Sequence, residues 1–202
     1  VLESDQGYVI AGCSGVESNG YIFRRIVLTM MDLQGNQIWW KKYGEDFHNY
    51  YAGLMRGCIK TSDGGFTISG SIQDSIGNNG LLFHFDENGD SLWAMTYGDE
   101  QIPGFEGIIF DACVQLPDNG YLISGDCGVV YGNEDILLVR TDSLGNMIWY
   151  QTYGESEFVE TGYSIAILPG GEFLVGFIKQ NVYALNTADP GMLKVDSLGN
   201  EI

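Results

Sequence analysis

The sequence predicts an all-β protein and, more narrowly, a β-propeller built from four-stranded antiparallel blades. A motif that begins Asp-x-x-Gly recurs at intervals of 54, 56 and 54 residues, and so constant a period indicates one supersecondary unit used repeatedly. Glycine is frequent, at 29 of 202 residues, while proline is scarce, at 4. Short aromatic and β-branched runs lie between these glycines, which is typical of many short strands joined by tight turns.

Each repeat holds four predicted strands, which we letter a to d in chain order. Strand a is expected at 55–61, 111–116 and 163–168. A turn of Pro, Asp and Gly residues leads to strand b, whose Gly-aromatic-x-Ile-x-Gly pattern occupies 7–12, 65–70 and 120–125 and is degenerate at 172–176. After a variable polar loop comes strand c, at 81–85, 136–140 and 192–195. Four short strands in one period predict a propeller blade, whereas a helical solenoid would need helices.

The turn between strands c and d carries the most regular residues of the repeat. Its Asp is expected to accept hydrogen bonds from backbone N–H groups, and its Gly to supply the positive φ that closes the hairpin. The Trp four positions after this Gly falls on strand d, where a large ring fills the gap between neighbouring blades. Strand d then ends at a Tyr-Gly pair. We interpret the following residues as structural: Asp32, Gly35, Trp39, Asp86, Gly89, Trp93, Asp142, Gly145, Trp149, Asp196 and Gly199.

The period divides the chain, 1–202, into one propeller segment of four units. The first, partial unit is 1–44, the second 45–98, the third 99–154 and the fourth, also partial, 155–202. The chain is predicted to start at strand b and to stop on entering the fourth strand d, an arc of about three and a half blades. Because an open arc leaves sheet edges without partners, we expect the segment to belong to a longer chain and its ends to pack against further blades or another subunit.

The charge disfavours several classes of partner. The chain has 27 acidic and 9 basic residues and a net charge of −18. Nucleic acid and anionic membrane surfaces are disfavoured, because both are bound through clusters of Lys and Arg. Solubility is the plain interpretation of the charge, and Ca²⁺ ligation by surface carboxylates is the alternative; no other cofactor is expected. No apolar run approaches the ~20 residues that a membrane span needs.

The four cysteines are Cys13, Cys58, Cys113 and Cys127, and none forms a CxxC pair, so a zinc or redox motif is not indicated. Cys58 and Cys113 occupy the same position of successive repeats, which fits a small buried apolar site. A disulfide stays open at this point, because the sequence does not pair four cysteines uniquely.

The repeat motifs resemble those of a known group of proteins. The Gly-Phe/Tyr-x-Ile-x-Gly strand, the Asp-Ser-x-Gly-Asn-x-Ile-Trp turn and the Thr-Tyr-Gly that follows are similar to repeats in large secreted propeller proteins of Bacteroidetes-type bacteria. Those proteins are often cargo of the type IX secretion system. The resemblance covers nearly the whole chain and is strongest in the second and third units. It implies an extracellular or cell-surface protein, in a group mostly without known activity.

Binding is expected in the connections that do not repeat, which run from strand d to strand a and from strand b to strand c and share one face of a propeller. This face is acidic and dotted with aromatic residues. Phe47, Phe105 and Phe158 recur about one period apart, so they either seal the blade tops as core or form a carbohydrate or cation site with nearby carboxylates. The candidate binding residues are Asp46, Phe47, Tyr50, Glu100, Phe105, Asp126, Tyr131, Asp135, Glu157 and Phe158.

Catalysis finds little support in the sequence. No Ser is marked as a nucleophile, and His84 stands where Arg140 and Lys194 stand in later repeats, which predicts a solvated strand position. We therefore assign no catalytic and no metal-binding residue, and predict a non-enzymatic scaffold or binding module for a protein or glycan ligand. The alternatives are a propeller enzyme that acts on carbohydrate through loop carboxylates and a purely architectural spacer in a large surface protein.

Overall fold

The computed structural model describes residues 1–4, 7–18, 20–52, 57–75, 77–105, 107–128, 134–184 and 188–202. Sixteen β-strands and no helix occur in these ranges. The strands of the first two units are β1 (Leu2–Ser4), β2 (Gly7–Ser18), β3 (Tyr21–Met31), β4 (Gln37–Tyr43), β5 (Asn49–Ala52), β6 (Cys58–Lys60), β7 (Phe66–Gln73), β8 (Asn78–Phe85) and β9 (Ser91–Tyr97). Those of the last two units are β10 (Gly107–Gln115), β11 (Tyr121–Gly128), β12 (Glu134–Thr141), β13 (Met147–Tyr153), β14 (Phe158–Ile167), β15 (Phe173–Asn181) and β16 (Ala188–Val195).

The strands follow the chain as antiparallel meanders, one for each repeat unit. The first unit forms the sheet β1-β2-β3-β4, and the fourth forms β14-β15-β16. The second and third units join into one nine-stranded sheet through a single parallel pairing of Asn78 with Gly107. The prediction of an all-β fold with antiparallel sheets is confirmed. Over the described ranges the sheets do not close on themselves, so the β-propeller stays a prediction.

Three local predictions are wrong. The described chain begins on strand a and not on strand b, because Leu2–Ser4 pairs antiparallel with β2. Tyr50 and Phe158 are predicted in connections, but Tyr50 lies in β5 and Phe158 opens β14. Tyr50 is buried in the core between the first two units, and Phe158 is half-buried and pairs with Asn181 of β15. Aromatic side chains that find such packing favour an extended strand over a loop.

The Asp-x-x-Gly turn is held by the Asp side chain. In the third unit, Asp142 Oδ1 accepts hydrogen bonds from the backbone N–H groups of Leu144 (2.9 Å) and Asn146 (2.8 Å). The Asn146 side chain donates to Asp142 Oδ2 at 2.8 Å, and Gly145 adopts a φ of +82° that a residue with a β carbon rarely takes. The hydrogen bonds from Asn146 are the main reason that the pKa of Asp142 lies below its ordinary value of 3.8.

The first and fourth units repeat these bonds with Asp32 and Asp196. In the second unit Asp90 stands in place of the Asn, and its carboxylate binds Lys41 of the first unit at 2.5 Å. The turn therefore keeps its backbone hydrogen bonds in all four units, while in the second unit its last residue binds the first unit instead of the turn Asp.

The core consists of apolar layers between successive units. We call the face of a unit that packs on the preceding unit its leading face, and the opposite one its trailing face. The leading face of the third unit consists of Tyr121, Ile123, Leu137 and Val139, all buried against the second unit. Its trailing face carries the alternate residues of the same strands, which are buried against the fourth unit: Leu122, Ile136 and Leu138. This alternation is the two-residue period of a strand that is covered on both faces.

A Trp and a Tyr on strand d tie each unit to the next, and we call this pair the Trp/Tyr latch. The Trp93 ring lies so close to Gly145 of the following unit that an added β carbon would come within 2.9 Å of it. The Tyr97 hydroxyl donates a hydrogen bond to the carbonyl oxygen of the same Gly145. The other two junctions have the same latch, made by Trp39 and Tyr43 on Gly89 and by Trp149 and Tyr153 on Gly199.

His84 is buried, so the prediction of a solvated position is wrong. Its Nε2 lies 3.0 Å from Asp63 Oδ2, and its Nδ1 lies 2.8 Å from the hydroxyl oxygen of Thr67. At the same position of later units, Arg140 pairs with Asp118 and Lys194 pairs with Glu172. A basic residue on strand c thus binds an acid near the a–b turn, and it is this partner that accommodates the basic side chain.

All four cysteines are free thiols.

Candidate functional site

The variable connections lie together at one end of the sheets, which we call the loop end. It holds the segments between β4 and β5, β9 and β10, and β13 and β14, together with the connections from each strand b to strand c. The opposite end holds the short a–b and c–d turns. Because the strands alternate in direction, every meander puts its two variable connections at the same end.

Three aromatic side chains form a groove at the loop end, which we call the aromatic groove. Phe47 is 65% exposed and Tyr21 is 67% exposed. The ring centroid of Phe23 lies 6.3 Å from that of Tyr21 and 5.5 Å from that of Phe47. Together with Asn49, Gln73, Asp74 and Ser75, these rings line a cavity of about 480 Å³. Of the two interpretations of Phe47, core seal or binding position, this exposure favours the second.

The backbone of Phe47 is left-handed, as is that of Glu157 at the corresponding position of the fourth unit. The Phe47 φ of +67° falls in the left-handed region, which costs a residue with a bulky side chain about 1–2 kcal/mol. Phe47 thus holds an exposed ring on a backbone conformation that the exposed Glu157 also adopts, with a φ of +77°. The strain therefore belongs to the turn, and the exposure of the ring is what marks Phe47 as a binding candidate.

A second space, the inner cavity, adjoins the groove and has a volume of about 550 Å³. Arg24 lies over the ring of Tyr51 there, with its guanidinium carbon 4.9 Å from the centroid. The Tyr51 hydroxyl donates a hydrogen bond to Gln73 Oε1 at 3.3 Å, and Gln73 lines both spaces. Ser71, Asn78 and Asp111 add further polar groups. The two spaces thus share Gln73 as a lining residue and offer aromatic faces, a cation and hydrogen-bonding side chains.

Two carboxyl groups meet where the first strand of the third unit bulges. The pairing of β10 with β11 steps over Asp111, which is 2% exposed and lines the inner cavity. Burial, and then the negative charges of Asp111 and Glu134, raise the pKa of Asp126 on β11 to about 7. A carboxyl group with this pKa exchanges its proton near neutral pH, which is the property that acid–base chemistry uses.

Tyr163 occupies the corresponding bulge of the fourth unit, where the pairing of β14 with β15 shifts. Burial, and then the charge of Asp111 with a smaller contribution from Asp126, raise the pKa of this phenol. The bulged residues Asp111 and Tyr163, on strands a of neighbouring units, therefore lie near Asp126 on strand b of the third unit.

Several predicted binding residues have structural contacts. Asp46 forms an ion pair of 2.6 Å with the buried Arg25 and accepts a hydrogen bond of 2.9 Å from the Ser18 hydroxyl. Tyr50 is a core residue, and burial raises the pKa of its phenol. Phe105 packs on the apolar layer between the second and third units. These contacts hold the connections in place and commit Tyr50 and Phe105 to the core, while the Asp46 side chain stays half exposed beside Arg25.

The remaining predicted residues are spread along the loop end. Asp135 abuts Gly154, and its burial raises the pKa of the carboxyl group. Glu100 and Glu157 are exposed. Phe158 lies beneath Lys179, whose Nζ is 4.0 Å from the ring centroid. Tyr131 lies outside the described residues.

A buried acid that the sequence did not single out lies beside Phe158. Glu160 is 3% exposed, and its Oε1 is 3.6 Å from Lys179 Nζ, which also binds Glu155 at 2.7 Å. Its Oε2 has no hydrogen-bond partner among the described residues. Burial raises the pKa of Glu160, and the Lys179 charge opposes that rise. The sequence carried no signal for this pair, because the two residues meet only through the pairing of β14 with β15.

Of the ten predicted binding residues, Phe47 alone lines the groove or the inner cavity over the described ranges. The sequence missed Tyr21, Phe23, Arg24, Tyr51 and Asp111. Tyr21, Phe23 and Arg24 belong to the long strand β3 of the first unit, whose departure from the other repeats was the one available signal. Asp111 gave no signal, because strand a is expected to be core, and Tyr51 gave none, because it precedes the strand a that the sequence predicts at 55–61.

In the part of the chain that the structure describes, no group of three or more His, Cys, Asp or Glu side chains is arranged to hold a metal ion. The described residues also include no helix of the length and apolar character that crossing a membrane requires. No protein-family model matches this chain, and no curated protein matches it.

Proposed function

We propose that this chain is a non-enzymatic binding module for a glycan, carried on a β-propeller scaffold outside the cell or on its surface. The observation that supports the ligand class is that the aromatic groove and the polar inner cavity are neighbours that share Gln73 in their linings. A sugar ring presents C–H groups on its faces and hydroxyl groups on its rim. Aromatic side chains pack on such faces, and a few polar groups fix the orientation of the ligand.

Charge also fits an uncharged or weakly charged ligand better than an anion. The chain carries a net charge of −18, and Asp74 and Asp111 line the two spaces. Carboxylates accept hydrogen bonds from hydroxyl groups, and Arg24 and Asn78 supply donors. A protein ligand is the other class that exposed aromatic residues serve, and the experiment below separates the two.

The test is a glycan array probed with the full chain, followed by calorimetric titration of the best ligand. Phe47→Ala and Tyr21→Ala are each expected to weaken binding at least tenfold, which equals about 1.4 kcal/mol. Leu144→Ala is the matched control, because Leu144 is an exposed apolar side chain at the turn end, and it should leave affinity unchanged. Absence of binding to every glycan, or equal weakening by the control, would refute the glycan proposal.

The propeller is proposed as the arrangement of the units. Its support is that three successive junctions use the same leading and trailing faces and the same latch. Each unit is therefore placed on the next in a similar way. Units repeated by one rotation about an axis form a propeller. Small-angle X-ray scattering should give the profile of a curved arc, and the profile of a straight stack would contradict it.

The location outside the cell is proposed from the resemblance of the repeats to secreted propeller proteins. Protease treatment of intact source cells should remove the protein, and inactivation of type IX secretion should retain it inside the cell. Full protection from protease on intact cells would contradict both expectations.

A second candidate, an enzyme that acts on carbohydrate, is favoured by one observation, the pKa of about 7 at Asp126 beside Asp111. Glycoside hydrolysis uses two carboxyl groups, one of them protonated near neutral pH. Release of reducing ends from a panel of polysaccharides, lost in Asp126→Asn, would establish it. Glycan binding without release of reducing ends, or release that persists in Asp126→Asn, would argue against this enzyme and leave the binding module as the proposed function. Absence of both glycan binding and release of reducing ends would favour the architectural spacer.

A further inference from the structure

We infer that the leading face of the first unit is a docking surface for a further repeat unit of the same kind, which brings a Trp/Tyr latch on its strand d. The inference is independent of the proposed glycan site, because it concerns the face of the sheet and not the groove or cavity. It rests on three observations: an apolar face that is exposed in one unit and buried in the others, a turn that lacks its latch, and the distribution of charge.

The exposed face is the first observation. Tyr8 is 39% exposed and Ile10 is 37% exposed, whereas Tyr121 and Ile123, at the same positions of the third unit, are 1% and 0% exposed. In strand register Ile10 lies opposite Thr29, which lies opposite Trp40 on β4, so a strip that is apolar except for the Thr29 hydroxyl crosses three strands. In the third unit the corresponding strip is covered by the second unit.

The turn of the first unit is the second observation. Gly35 has a φ of +85°, and Asp32 makes the same hydrogen bonds as its counterparts, so the turn has the shape that a latch contacts. A β carbon added at Gly89, Gly145 or Gly199 would come within about 3 Å of a Trp ring, but one added at Gly35 would meet no described atom within 4 Å. The receiving half of the latch is present, and its ring and hydroxyl are supplied by none of the described residues.

The chemistry of the occupant follows from the three existing junctions. At each of them the leading face is covered by a trailing face that carries the Trp/Tyr latch. The docking face reproduces the receiving side of that junction in register, in apolar character and in the conformation of its glycine. A repeat unit with Trp-x-x-x-Tyr on strand d is therefore the partner that it fits, and a flat apolar partner without a latch would leave Gly35 uncovered.

Charge agrees with this partner. Four of the nine basic residues lie in the first unit, where they balance four acidic residues, while each of the other units is acidic. Lys42 stands on the docking face, opposite Val27 in register. A neutral unit with a basic residue on its leading face accepts an acidic neighbour without like-charge repulsion.

The test adds one unit to the full chain. A copy of 45–113 is joined ahead of Val1, because Val1 corresponds to Val114 in the repeat, so the added latch keeps its native spacing from the docking face. The matched control is the same extended chain with Trp93→Ala and Tyr97→Phe in the added copy only. The exposure of the Ile10 methyl group is measured by NMR relaxation with a soluble gadolinium agent, with Ile123 as the buried reference and Ile178 as the exposed one.

In the original chain the relaxation of Ile10 should match that of Ile178, and in the extended chain it should fall to that of Ile123. In the control it should return towards the exposed value while Ile123 stays shielded, which shows that the fold is retained. The inference is overturned if Ile10 stays exposed in the extended chain, or if the control shields it equally. It is also overturned if the original chain already shields Ile10 as a dimer in light scattering, because a second copy is then the occupant. None of these outcomes depends on glycan binding.

Discussion

The Tyr97 hydroxyl donates a hydrogen bond of 2.6 Å to the carbonyl oxygen of Gly145, and this bond crosses from the second repeat unit to the third. Trp93, four residues earlier on the same strand, covers the same glycine. Burial raises the pKa of Tyr97 above its ordinary value of 10, so the phenol stays protonated and remains a donor. Each junction is thus fixed by an apolar and a polar contact that converge on one residue.

Removal of this hydroxyl should loosen the junction. Tyr97→Phe keeps the buried ring and leaves the carbonyl oxygen of Gly145 without its donor, which costs about 1–2 kcal/mol in the free energy of unfolding. Urea denaturation followed by tryptophan fluorescence measures the change. Tyr183→Phe, at a residue that is 80% exposed, is the control and should be neutral. Equal stability of the two variants would show that the hydroxyl contributes nothing.

The glycine of the latch separates backbone strain from packing. Gly145→Ala and Gly35→Ala both place a β carbon on a residue with φ near +80°, which costs about 1–2 kcal/mol in either case. Only Gly145 faces a Trp ring within 3 Å, so its substitution should cost about 1–3 kcal/mol more through overpacking. Urea midpoints of the two variants give the difference directly. Equal losses of stability in the two variants would mean that the Trp93 ring moves aside without an energetic cost.

The sequence carried enough information for the repeated parts and too little for the unique ones. The Asp-x-x-Gly turns could be predicted because their hydrogen bonds are local and need only the residues of the turn itself. The contact of Trp93 with Gly145 could be expected only in outline, since it joins residues 52 positions apart. His84 was misjudged because its partner Asp63 is supplied by a neighbouring turn and not by its own strand.

The loop end shows the same limit. Phe47, Phe105 and Phe158 look equivalent along the chain, yet Phe47 is exposed, Phe105 packs on the core and Phe158 lies beneath Lys179. Their surroundings come from connections that differ between units, so a shared period says nothing about exposure. Asp111 was hidden because a β-bulge, which turns a residue out of the regular alternation, leaves no mark in the sequence.

Acid should weaken the turns. The pKa of Asp142 is lowered on folding, so its contribution to stability is complete above the ordinary value of 3.8 and is lost as the pH falls below it. Asp142→Asn should therefore lower the free energy of unfolding at pH 7 and have a vanishing effect near pH 2. Thermal denaturation at both pH values measures the change. A loss of the same size at both would assign the effect to shape and not to charge.

The opposite sign is expected at Asp126, whose pKa rises on folding to about 7. The folded state then holds a proton that the unfolded state has released, so stability falls as the pH rises from about 4 to about 7 and stays low above it. Asp126→Asn removes this penalty and should stabilise the chain on the order of 2 kcal/mol at pH 8, with little change at pH 4. Urea titrations of variant and parent at pH 4, 6 and 8 measure the difference, with Asp142→Asn as the control of opposite slope. No gain at pH 8 would show that Asp126 is solvated. A gain accompanied by weaker glycan binding would show that Asp126, beside Asp111 of the inner cavity, is kept for the ligand at the expense of stability.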